Sequence, residues 1–101
     1  MNTGFDLLKK HLGSPYPNGY RGTEIKGIDL VMLDADTVGC ITSYYGRFGN
    51  LKKLDPKRQE ILKLCRDALA VVVKDTEGYA KEYFQGLLTL TEIVLKELQQ
   101  T

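Results

Sequence analysis

Asp34 and Asp36 stand one residue apart in the stretch LDADTVGCITSYYGRFG, residues 33–49, which closes on three aromatics around an arginine and two glycines. Paired carboxylates could hold a divalent cation. Hard cations want six or more oxygen ligands, however, and no D-x-D-x-D-G loop with a distant Glu follows. Short Asp side chains also accept backbone N–H groups in turns. DADT, residues 34–37, therefore reads as a turn, with an anionic patch facing a partner as the alternative. His11 is the only histidine. Acid–base work or nucleophile activation would recruit it, yet it falls at the end of an amphipathic segment, where a helix C-terminus favours a cation. A catalytic role would require it in a pocket within reach of a carboxylate. His11, Cys40 and Cys65 lack zinc-ligand spacing. The two cysteines read as small buried hydrophobes, a Cys40–Cys65 bridge or a reactive thiol being the alternatives. No phosphate-binding glycine loop or nucleophile elbow is present, so the expectation is a protein without enzymatic activity, cofactor or metal.

Tyr44, Tyr45, Arg47 and Phe48, followed by Lys52, Lys53, Lys57 and Arg58, mix aromatics with positive charge. Tyrosine and arginine dominate protein-interface hot spots. RNA readers also stack bases on strand aromatics, but the stretch does not match their motif. Tyr16, Tyr20 and Arg21, carried on the turn-rich segment SPYPNGYRG, are possible neighbours. The candidate partner-binding residues are thus Tyr16, Tyr20, Arg21, Asp34, Asp36, Tyr44, Tyr45, Arg47 and Phe48.

The elements that must position them read as α+β, in the order α-β-β-α-α. Asn2 or Thr3 caps a short first helix carrying Phe5, Leu7, Leu8 and Leu12, with Gly13 at its end. TEIKGIDLVML, residues 23–33, is β-branched and apolar and predicts a strand; VGCITSYY, residues 38–45, predicts its antiparallel partner across the DADT turn. Asp55 then caps a helix with Pro56 at its first position. Ile61, Leu62, Cys65, Ala68, Leu69 and Val72 form its apolar stripe, and it ends near Lys74. A last helix starts near Thr76 and buries Ala80, Tyr83, Phe84, Leu87, Leu90, Thr91, Val94 and Leu98. The short linker makes these two helices antiparallel neighbours. The β-hairpin is laid against them, and its exposed edges offer a route to a homodimer.

The 101 residues amount to one domain. No run reaches the ~20 apolar residues of a membrane span. The N-terminus is not patterned as a secretion signal, because Lys9 and Lys10 follow its apolar residues, and two cysteines make no disulfide framework. The expected location is the cytoplasm. The net charge of +1 hides an asymmetry: residues 47–66 carry seven basic and two acidic groups, residues 67–101 three basic and six acidic. The basic middle can steer an anionic partner, which keeps a nucleic-acid-binding module as the alternative reading.

DADTVGC after a hydrophobic segment, LDPKRQEILKLC opening a helix and YAKEYFQGLLTLTEIVLKEL together resemble a group of small bacterial proteins. These are encoded as orphans or as immunity proteins beside polymorphic, contact-dependent growth-inhibition toxins. The likeness spans residues 28–98. It implies a protein that binds one cognate toxin domain, often a nuclease, and blocks its active site without chemistry of its own. It implies no catalytic residues, and it assigns Asp34, Asp36, Gly39, Cys40, Asp55, Arg58, Leu62 and Cys65 to the fold rather than the partner. Many nuclease inhibitors are strongly acidic; at +1, this chain could play that part only through a local acidic patch.

Overall fold

In the computed structural model, which describes residues 3–100, the chain folds as four helices with one very small hairpin: α1 (Thr3–Gly13), β1 (Glu24–Ile25), β2 (Ile28–Asp29), α2 (Leu30–Tyr45), α3 (Pro56–Lys74) and α4 (Gly78–Gln99). The α+β description holds in a coarse sense, since an antiparallel pair of strands is present in a mostly helical molecule. Asn2, one of the two expected caps of the first helix, lies outside the described residues.

The expected long hairpin is corrected. Residues 38–45 are not a strand and DADT is not a turn; both belong to α2. The buried positions Leu30, Leu33, Thr37, Cys40, Ile41, Tyr44 and Tyr45 recur every three or four residues, the period of a helix with one face inward. Asp29 starts it: its carboxylate accepts the Met32 N–H at 3.1 Å, satisfying one of the helix's free donors. Thr37, β-branched and fully buried, returns its hydroxyl to the Leu33 carbonyl at 2.6 Å, so no polar group is stranded. Gly46, at φ 71°, ends the helix.

The true hairpin sits inside the expected first strand. Glu24 pairs with Asp29 and Ile25 with Ile28, around Lys26 and Gly27, both at positive φ. Two such residues are what a type I′ hairpin turn needs. At two residues each, the strands are far shorter than the expected ones, and so is any edge they offer to a second chain.

The helical hairpin follows the sequence reading. The Asp55 carboxylate caps α3 through the Arg58 N–H at 3.2 Å, with Pro56 at the first position. The helix ends at Lys74, where Thr76 bonds back to the Val72 carbonyl at 2.9 Å. Thr76 therefore closes α3, and α4 begins two residues later, at Gly78. α3 packs on α4 and α2, and α1 packs on α4 and α2. Leu62, Leu69, Val72, Phe84, Leu87, Leu90 and Val94 are fully buried between them; side chains of this kind each contribute about 1.5–3 kcal/mol on leaving water. In α4, Leu95 is buried and Leu98 half-buried.

Candidate functional site

Asp34 is the hub of a polar cluster that ties three helices together. Its position on α2 turns it toward the last turn of α1 and the second turn of α4. One carboxylate oxygen accepts His11 Nε2–H at 2.9 Å and the other accepts the Tyr83 hydroxyl at 2.7 Å. The side chains of His11 and Asp34 are only 8% and 18% exposed, so these charge-assisted bonds are shielded from water. The His11 and Tyr83 rings lie 4.4 Å apart, and Tyr16 meets Tyr83 edge-on at 5.7 Å. Burial, followed by the bond to Asp34, pushes the Tyr83 phenol well above its usual range.

The 14–22 loop folds over this cluster. Tyr16 donates to the Tyr20 carbonyl at 3.1 Å and Tyr79 donates to the Pro15 carbonyl at 2.6 Å. The Arg21 guanidinium lies 5.5 Å from the centre of the Tyr16 ring, within cation–π range. Two open hollows meet at His11, one toward α4 and one toward α2. Neither neighbouring hydroxyl is bonded to the imidazole: Tyr83 donates to Asp34, and Ser14 donates to the Lys10 carbonyl.

Asp36, two residues on, faces solvent with Val31, Met32, Ala35 and Gly39. Met32 is 57% exposed. Residues 28–46 contain no lysine or arginine, so this outward face of α2 is apolar, small and acidic. A Cβ built on Gly39 meets nothing within 4 Å. Glycine inside a helix is about 1 kcal/mol worse than alanine, and nothing in the chain's own packing requires it there. The two carboxylates that look paired in sequence thus serve different surroundings, and among the described residues no three His, Cys, Asp or Glu side chains gather as a metal site.

The chain matches no known protein family, curated protein or solved structure.

Tyr44 and Tyr45 are corrected as surface candidates, because both lie in the core at 2% and 0% exposure. Tyr44 donates to Glu97 at 2.8 Å. The Tyr45 hydroxyl packs against Gly4 and has no hydrogen-bond partner among the described residues; burial, then the nearby Glu97 charge, pushes it up to about 12. Arg47 and Phe48 stand exposed on the loop after α2, Phe48 at 77%, with the guanidinium 6.0 Å from the ring centre. Lys52, Lys53 and Lys57 are exposed as well, whereas Arg58 is bonded to Asp55 at 2.8 Å. Cys40 and Cys65 are free and buried, and burial pushes both thiols up. No helix among the described residues is long and apolar enough to cross a membrane. Sequence reasoning missed Tyr83 as Asp34's partner, 49 residues away, and the outward face of α2. The 3–4 spacing of Leu30, Leu33, Thr37 and Ile41 was the available signal for that face.

Proposed function

We propose that the chain is a non-catalytic binding protein of the immunity type, acting in the cytoplasm, that neutralises a cognate toxin domain by covering its active site. The observation that carries this reading is the outward face of α2: an apolar strip with Asp36 as its charge, unpartnered within the chain. Such a face matches an apolar patch rimmed by basic residues, as a nuclease surface would offer. Asp36 supplies that face's negative charge in a chain whose net charge is +1. The enclosed, carboxylate-paired His11 meets the geometric requirement for a small enzyme, but its neighbouring hydroxyls are committed elsewhere, and the cluster reads more simply as the clamp that holds α2 in place. The reading requires a toxin domain encoded beside the gene. Co-expression of the two should restore growth and yield a stable complex; continued toxicity with no complex would refute it.

A second reading has its own support. Exposed Phe48 with Arg47, Lys52, Lys53 and Lys57 is a stacking face with cations beside it, suited to single-stranded nucleic acid. It requires oligonucleotide binding that falls steeply with salt. A flat titration at low salt removes it.

A further inference from the structure

The hollow between the end of α1, the 14–22 loop and α2 has a volume of about 480 Å³, within the roughly 300–1,000 Å³ usual for small-molecule sites. Its walls include Leu12, Tyr16, Val31, Ala35 and Val38, and its polar groups are His11, Ser14, Arg21, Asp34 and the Tyr83 hydroxyl. The formal charges of Arg21 and Asp34 oppose each other, so the hollow selects neither an anion nor a cation by net charge. Both Asp34 oxygens already accept hydrogen bonds, and Ser14 and Tyr83 have spent their protons. The vacancy is on His11. Nε2 faces a carboxylate and therefore carries a proton; in the singly protonated ring Nδ1 is then an acceptor. Nδ1 has no hydrogen-bond partner among the described residues, and it is not sealed from solvent as the Tyr45 hydroxyl is. His11 lines this hollow, whose other walls are largely apolar and aromatic, so an unused acceptor on its ring calls for a neutral, largely apolar group with one strong donor. Gly39 keeps the α2 side of the hollow bare, in a helix interior where alanine would be preferred.

We propose that this hollow binds a phenol-type group, its ring against Tyr16 and the α2 wall and its hydroxyl donating to His11 Nδ1. Arg21, already seated on Tyr16, can lie over the edge of the bound ring. The hollow shares Val31, Ala35 and Gly39 with the docking face of α2, but it is tested with small phenols and no toxin, so its failure leaves the toxin test untouched.

The test is an NMR titration of the full chain with p-cresol, toluene, p-toluate and N-acetyl-L-tyrosinamide. p-Cresol should give saturable shifts at residues 34–39 and move the His11 Nδ1 resonance, with affinity at least tenfold above toluene and p-toluate. The tyrosine derivative separates the sources of such a group: binding as tight as p-cresol assigns it to a polypeptide side chain, and markedly weaker binding assigns it to a free small phenol. Gly39→Leu, which favours the helix and whose Cβ meets nothing within 4 Å, sets a bulky side chain on the α2 wall of the hollow; it should keep the fold and lose at least tenfold in p-cresol affinity. Toluene binding as well as p-cresol, p-toluate binding better, unchanged p-cresol affinity in folded Gly39→Leu, or no saturable shift would each overturn the proposal.

Discussion

Asp34 shows how far a single side chain's role depends on its surroundings. In sequence it is half of a carboxylate pair; in the fold it accepts one hydrogen bond from α1 and another from α4. Hydrogen bonds to charged groups contribute about 1.5–3 kcal/mol each, so Tyr83→Phe should lower unfolding free energy by roughly 1–3 kcal/mol. Asp34→Ala, which also strands His11, should cost more, and urea denaturation of both variants measures the order. Tyr45 is the opposite case. Its hydroxyl is buried without a partner among the described residues, and leaving such a group unmade costs about 1–3 kcal/mol. Tyr45→Phe should therefore be neutral or stabilising; a loss of more than about 1 kcal/mol would mean that the hydroxyl is satisfied. None of these pairings was legible in the sequence, because Asp34 meets partners 23 and 49 residues away, and no local spacing encodes that.

At the scale of elements, the helices were legible wherever a cap and a 3.6-residue period agreed. Asp55, Pro56 and the stripe through Val72 mark α3 in both sequence and structure. α2 was misread because Val31, Thr37, Val38, Ile41 and Thr42 favour strands by propensity, while Gly39 disfavours a helix. Burial on both flanks prevailed: Leu30, Leu33, Cys40 and Ile41 pack only if the segment coils. The decisive local signal was Asp29, three residues before the N–H it caps. Asp29→Ala should cost about 0.5–2 kcal/mol, whereas Gly39→Ala should gain up to about 1 kcal/mol. Thermal denaturation reads both, and a destabilising Gly39→Ala would contradict the open space found around that glycine.

For the whole molecule, three tyrosines at different helix contacts link stability to alkaline pH. Tyr44, Tyr45 and Tyr83 are all raised, chiefly by burial, Tyr45 to about 12. Unfolded phenols ionise near pH 10. Below that value the stabilisation is fully present; it is lost as pH rises from about 10 through the folded values, because the unfolded chain releases its protons first. Denaturant midpoints should hold below pH 9–10 and then fall, while phenolate absorbance should show a late group among the six tyrosines. A single titration of all six near pH 10 would contradict the burial described. The same whole-molecule view sets two surfaces apart, the acidic apolar face of α2 and the basic Arg47–Phe48 loop. The measurement that separates them most directly is the affinity of the chain for the toxin domain that the proposed function requires, compared with that of Asp36→Arg and Phe48→Ala. Docking through α2 predicts that Asp36→Arg loses at least about 30-fold, since a wrong charge at an interface costs about 2 kcal/mol or more. Phe48→Ala should change little. Wild-type affinity in Asp36→Arg, with the loss falling on Phe48→Ala instead, would contradict the account.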